Sequence, residues 1–96
     1  MPRAYWIAHV EVSDADAYGR YAALATEAIA KHGGEFLARA TRYVTLEGPE
    51  RKRHVVARFP SLEKAVECYH SPEYQAALEH ARGAAERDLI VVEENG

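Results

Sequence analysis

The sequence predicts an α+β domain in which helices cover one face of a single antiparallel sheet. Three observations predict this class. Apolar and polar residues alternate with period two from Ala4 to Val12, as in a strand. Apolar residues recur at helical spacing after Ser13, and a second helical segment is interrupted by the capping sequence Ser71-Pro72-Glu73. Further strand patterns lie between and after the helices, so the predicted order is β-α-β-β-α-β.

The first strand and the first helix follow from the two periodicities. One face of the strand carries Trp6, Ala8, Val10 and Val12, and the other carries Tyr5, Ile7, His9 and Glu11. The run Ser13-Asp14-Ala15-Asp16 fits the S/T-x-x-D/E opening of a helix. The buried stripe of this helix is predicted to be Tyr18, Tyr21, Ala22, Ala25 and Ile29. Gly33-Gly34 then allows the chain to leave the helix.

The remaining elements are a hairpin, a broken helix and a last strand. The hairpin pairs a strand from Glu35 to Leu46 with one from Arg53 to Phe59 across a polar turn. Pro60 ends the third strand because it has no N–H for a ladder. Ser61 caps a helix whose stripe is Leu62, Ala65, Val66 and Tyr69, and the second helix breaks near Ser71-Pro72. The last strand is predicted from Leu89 to Glu93.

This order is that of the ferredoxin-like fold, and we expect residues 1–96 to form a single domain of this kind. The predicted helix-free face of the sheet carries Tyr5, Ile7, Leu37 and Val56 together with His9, Arg39 and Arg58. Such a face is too apolar to be left in water, so it needs a second cover. A second copy of the same sheet would supply one, which predicts a homodimer.

Composition restricts the class of protein. The net charge of −3 argues against a general binder of nucleic acid. Cys68 is the only cysteine, which is typical of a protein in the reducing cytoplasm. The start of the chain lacks a signal-peptide pattern, and no apolar stretch is long enough for a membrane helix. We therefore expect a cytoplasmic protein that binds neither nucleic acid nor membrane.

Several segments resemble the bacterial family known as domain of unknown function 1330. The matching segments are residues 5–12, 33–39, 46–48, 59–63, 69–75 and 88–93, which follow one another along almost the whole chain. The resemblance implies a dimeric α+β barrel, in which two ferredoxin-like sheets pack face to face. It also implies a cleft between sheet and helices that often holds a small ligand. Arg58 departs from the family, in which an acidic residue is common at this position.

His9, Arg39 and Arg58 are the candidate polar residues of the sheet. Histidine exchanges protons near neutral pH, so His9 is the candidate catalytic residue, and an arginine can hold a carboxylate or enolate oxygen. Tyr69 and Tyr74 at the helix break are further candidates for binding a ligand. We expect any site to lie between this break and the first two strands. The alternative is that the arginines pair with Glu11 or with an acid of a partner subunit, that His9 is hydrogen-bonded in the interface, and that the tyrosines belong to the core.

No cofactor is expected. The five histidines show no spacing typical of a metal site. Haem would require His9 or His70 as its axial ligand, by analogy with the superfamily alone. The third strand lacks the aromatic pattern of RNA-recognition modules.

These observations favour a homodimeric protein that binds a small molecule, either as a binding module or as a cofactor-independent enzyme acting on a small organic acid. The alternative is a non-catalytic stress-response or assembly protein in which the cleft is only packing. Fold alone does not decide between them.

Overall fold

The structure, a computed structural model, describes residues 2–96. Four strands and three helices follow one another along the chain: β1 (Ala4–Val12), α1 (Ala15–Lys31), β2 (Glu35–Arg39), β3 (Arg53–Phe59), α2 (Leu62–His70), α3 (Pro72–Ala81) and β4 (Ala85–Glu93). The strands form one antiparallel sheet in the order β2-β3-β1-β4. This is the predicted α+β arrangement of the ferredoxin-like fold. None of the described helices is long and apolar enough to span a bilayer.

Side-chain caps start each helix. Asp14, rather than the predicted Ser13, caps α1, because its carboxylate accepts the N–H of Ala17 at 3.1 Å. Ser61 caps α2, and Ser71 both ends α2 and caps α3, as predicted. Pro72 follows at the first helical position, where its missing N–H costs no hydrogen bond. The break between α2 and α3 is therefore encoded locally.

The core lies between the sheet and the helices and is centred on Trp6. Its indole, only 1% exposed, packs 5.6 Å from the ring of Phe59 and 5.1 Å, edge to face, from that of Tyr74. Ala65 and Ala77 are completely buried, so the helices that carry them approach the core closely. Val66, predicted to belong to the α2 stripe, is instead 42% exposed.

Two predicted strand boundaries were wrong. β2 ends at Arg39 instead of Leu46 because Ala40 takes a left-handed φ of 54°, although its N–H still bonds to the carbonyl of His54. Leu46 is 87% exposed, so its apolar side chain lies outside the core. β4 begins at Ala85, four residues before the predicted Leu89, because the long first strand offers it a partner.

A bulge in β2 changes the side on which its residues lie. Phe36 pairs with Ala57, but the next pair joins Ala38 to Val56, so Leu37 is an extra residue without a partner. Because side chains alternate along a strand, one extra residue moves the following side chain to the opposite face. The bulge therefore places Arg39 on the helix-covered face.

Candidate functional site

A small cavity lies between α1 and the sheet. Its enclosed volume, into which a water-sized molecule fits, is about 30 Å³. The total empty volume, which includes the solvent at its open mouth, is about 350 Å³. The smaller volume is room for about two water molecules. Its apolar walls come from Trp6, Ala8, Ala22, Ala25, Ile29, Phe36 and Val55. Its polar residues are Tyr18, Tyr21, Thr26, Arg39, Arg53 and Arg87.

The three arginines of the cavity come from three strands. Arg53 on β3 and Arg87 on β4 both pair with Val10 of β1, so they flank this buried valine on the helix-covered face. Arg39 on β2 pairs with Val55, which lies two residues after Arg53 on the same face of β3. Arg39 is exposed and the other two are half-buried, so the cavity opens beside Arg39.

Each of these guanidinium groups lies over an aromatic ring. The Cζ atom of Arg39 lies 4.0 Å from the ring centre of Phe36. Arg53 and Arg87 lie 5.4 Å and 4.7 Å from the ring centres of Tyr18 and Tyr21, respectively. A cation above a ring face is attracted by the ring. These contacts therefore help to hold the arginines beside the cavity.

Tyr21, Tyr74 and Arg87 form a buried hydrogen-bonded group. The two hydroxyls are 2.6 Å apart, and Arg87 Nη2 donates to both of them, at 2.8 and 3.1 Å. Burial raises the pKa of Tyr21 and of Tyr74, so both phenols keep their protons. One phenol donates to the other, and the phenol that accepts has a hydrogen left without an acceptor among residues 2–96. The group thus holds one spare donor.

The cavity gathers positive charge without a carboxylate. None of the ion pairs among residues 2–96 involves Arg39, Arg53 or Arg87. The Nε atoms of Arg53 and Arg87 are buried and have no hydrogen-bond partner there, while Arg39 donates to Thr26 Oγ1 at 2.8 Å. The chain contains 15 acidic residues, so acids are not scarce. Buried cationic donors of this kind suit an anionic guest.

His9 and Arg39 do not share a cavity, contrary to expectation. His9 is exposed on the helix-free face, whereas the bulge at Leu37 moves Arg39 to the other face. The His9 and His54 Nδ1 atoms are 2.8 Å apart, and His54 Nε2 lies 2.9 Å from the carbonyl of Arg51. His54 Nε2 therefore donates to that carbonyl, and in a neutral His54 ring Nδ1 would accept from His9. This pair lies in an open groove of about 510 Å³.

Arg58 lies on the helix-free face, as expected, and is paired. Its guanidinium donates to the carboxylate of Glu35, which raises the pKa of the arginine. Tyr5 lies opposite Arg58 across the strands and donates to Glu94. Arg58 is therefore ion-paired, with Glu35 rather than with the Glu11 that the alternative named.

The two candidate tyrosines differ in position. Tyr74 is completely buried and reaches the cavity through its hydroxyl contact with Tyr21. Tyr69 is half-buried, and its ring lies 5.4 Å from that of Tyr74 and 6.2 Å from that of Trp6. Tyr69 contributes instead to a separate open groove beside β4. Residues 2–96 contain no cluster of three potential metal ligands.

A family model described as "Domain of unknown function (DUF1330)" matches residues 3–95. The chain belongs to this family. None of the curated proteins matches the chain significantly.

Solved structures share its fold. A protein of unknown function from Rhodopseudomonas palustris, RPA0582, is 22% identical with a TM-score of 0.76, over 99% of this chain and 84% of that one. SnoaB, a cofactor-independent oxygenase from Streptomyces nogalater, is 8% identical with a TM-score of 0.70, over 100% and 96% of the two chains. A dimeric protein of unknown function from Bacteroides fragilis with a ferredoxin-like fold is 16% identical with a TM-score of 0.58, over 96% of each chain.

Arg53 and Arg87 were not among the residues predicted for this DUF1330 chain. The alternation of residues along the strands could have identified both. Arg53 shares the parity of Val55, Ala57 and Phe59 along β3, so it belongs to their buried face. Arg87 has the same parity as Leu89, but this is visible only when β4 begins at Ala85 rather than at the predicted Leu89. An arginine in register with a buried apolar face is the pattern that indicates this site.

Proposed function

We propose that this protein binds a small organic acid in the cavity between α1 and the sheet. The observation that carries the proposal is that three arginines around an apolar cavity pair with no carboxylate among residues 2–96. A guanidinium beside apolar walls attracts an anion more strongly than a solvated one, and its planar fork fits a carboxylate. The rings beside the arginines favour binding further, because they help to hold the donors in place before the ligand arrives.

The test is a ligand-observed NMR screen of small carboxylic acids, followed by calorimetry on the acids that bind. Arg53→Gln removes one charge of the cavity, and Arg20→Gln removes the same charge from the exposed side of α1. We expect Arg53→Gln to weaken binding about tenfold or more, which is typical of a lost charged hydrogen bond, and Arg20→Gln to leave binding unchanged. Equal affinity in wild type and Arg53→Gln would remove the site assignment. No binding of any acid would favour the alternative, a stress-response or assembly protein with a packed cleft.

A second candidate function is cofactor-independent catalysis on such an acid. The observation that favours it is the convergence of Arg87, Tyr21 and the spare hydroxyl hydrogen, which would stabilise a developing enolate oxygen. A base from solvent would take the proton from carbon through the open mouth, because the described lining contains no carboxylate or histidine. The likeness in fold to SnoaB supports the same class. NMR of a bound acid in heavy water would detect it, because an enolising enzyme exchanges the hydrogens next to the carboxylate for deuterium. Hydrogen–deuterium exchange no faster than in buffer alone would contradict catalysis and leave ligand binding as the function.

We also propose that the protein acts as a homodimer through the helix-free face of its sheet. Ile7 is flanked there by Val56 and Ile90, and Ile90 is 59% exposed. Val92, also on this face, is 44% exposed, so the apolar patch is continuous across the sheet. A similar fold from Bacteroides fragilis is dimeric. Light scattering at micromolar concentration should give twice the chain mass, and a monomer mass would contradict the proposal.

The cytoplasm is the compartment that we propose for this dimer. Its single thiol, Cys68, is completely buried and so does not cross-link two copies. A protein without disulfides is typical of a reducing compartment.

A further inference from the structure

We infer that the anion of this cavity is a dicarboxylate whose two carboxylates are joined by a short apolar segment. The inference rests on the proposed function and specifies its ligand. It follows from how the donors are grouped, from what lies between the groups, and from the charge that they carry together.

The donors form two groups at opposite edges of the sheet. Arg87, on the outer strand β4, lies with Tyr21 and Tyr74. Arg39, on the other outer strand β2, lies next to the strand of Arg53. Neighbouring strands are about 4.8 Å apart, so the backbones of the two outer strands are separated by about 14 Å. The long side chains reach inwards from both edges, and one carboxylate is assigned to each group.

The space between the two groups is apolar. Trp6 and Ala8 of β1 form its floor, and Ala22 and Ala25 of α1 form its roof. Apart from the indole N–H of Trp6, these side chains carry no hydrogen-bonding group, and none of them offers an acceptor. Burying a polar group there without a partner would cost free energy, so the part of the ligand in the middle is hydrocarbon. Because the enclosed part of the cavity is room for only about two water molecules, the ligand also extends into the open mouth.

The number of charges favours a dianion over a monoanion. Three guanidinium groups without acidic partners repel one another, and a single carboxylate compensates only one of them. Arg53 and Arg87 each keep a buried Nε donor without a partner, and one hydroxyl hydrogen is spare as well. A second carboxylate uses donors of the other group that the first one cannot reach. Arg39 is exposed, so a ligand can reach its guanidinium from solvent.

The experiment compares ligands that differ by one charge. Succinate, its monoamide succinamate, butyrate and inorganic phosphate are titrated calorimetrically into the wild-type protein at neutral pH and constant ionic strength. We expect succinate to bind about tenfold or more tightly than succinamate, since each charged hydrogen bond contributes about that factor. Phosphate, a compact anion that cannot reach both donor groups, should bind more weakly than succinate.

A pair of variants tests whether Arg39 binds one of the two carboxylates of succinate. Arg39→Gln should reduce the affinity for succinate to that for succinamate and change succinamate binding by much less, because succinamate keeps only one charged contact. Arg20→Gln, on the exposed side of α1, should change neither affinity. Circular dichroism and melting curves check that the variants are folded.

The outcomes separate the two proposals. Equal affinities for succinate and succinamate, or phosphate binding as tightly as succinate, would overturn the dicarboxylate inference and leave an organic-acid site. A succinate affinity that Arg39→Gln leaves unchanged would also overturn it. Absence of binding by every acid would remove the proposed function itself, and the inference with it.

Discussion

Ser71 holds the junction between α2 and α3 with two hydrogen bonds. Its Oγ accepts the N–H of Tyr74 at 3.2 Å and donates to the carbonyl of Cys68 at 2.7 Å. The residue is only 7% exposed, so water does not replace these bonds when the hydroxyl is removed. Ser71→Ala therefore loses a helix cap and leaves a buried carbonyl with one partner fewer.

The magnitude follows from these two losses. A lost serine cap costs about 1 kcal/mol of the free energy of unfolding. The lost bond to the Cys68 carbonyl costs about 1 kcal/mol more, because a buried acceptor is left under-satisfied. Ser61 provides a matched control in the same chain. Its Oγ caps α2 by accepting the N–H of Lys64 at 3.1 Å, and it makes no second hydrogen bond within residues 2–96. Ser61→Ala should therefore cost about 1 kcal/mol, roughly half the loss for Ser71→Ala.

The assay is urea unfolding of wild type, Ser71→Ala and Ser61→Ala, followed by circular dichroism. Both variants should unfold at lower urea with an unchanged slope, which reports the same surface exposed on unfolding. Equal losses in the two variants would refute the second bond as a source of stability. A negligible loss in both would mean that the break between the helices is held by packing alone.

Three further predictions concern stability and reactivity. Gly34→Ala should cost about 1–3 kcal/mol in urea unfolding, because the added Cβ would lie 2.6 Å from a methyl carbon of Ile29; a neutral result would mean that the core yields there. Cys68 is completely buried and burial raises the pKa of its thiol to about 11, so a thiol reagent at neutral pH should label it only in denaturant, and rapid labelling of the folded protein would contradict its burial. The hydrogen bond from Lys31 lowers the pKa of Glu73, so this contact should stabilise the fold above the ordinary glutamate pKa and lose its effect as the pH falls through the lowered value. Lys31→Met should abolish that part of the acid dependence in melting curves, and an unchanged pH profile would count against the contact.

Local signals in the sequence were sufficient for most of the fold. The alternation from Ala4 to Val12 gave β1 with its correct bounds, and the serines at positions 61 and 71 marked the two helix starts. Such features act over a few residues, through caps and side-chain period, so they can be read without knowing which segments meet. The end of β2 could not be read in this way. It depends on the left-handed turn at Ala40 and on whether a partner strand is present to continue the ladder.

The sequence by itself determined the order of elements, the apolar second face of the sheet and the candidacy of Arg39. Only the tertiary structure decided where Arg39 lies, because a single extra residue at Leu37 reverses the faces of β2 without changing the apolar pattern that suggested the strand. It alone also brought Arg39 together with Arg53 and Arg87. Arg39 and Arg87 lie 48 positions apart in the chain. The three arginines line one cavity only because the sheet order places β2 and β3 on one side of β1 and β4 on the other. Convergence across strands is a property of pairing and register, which no local period contains.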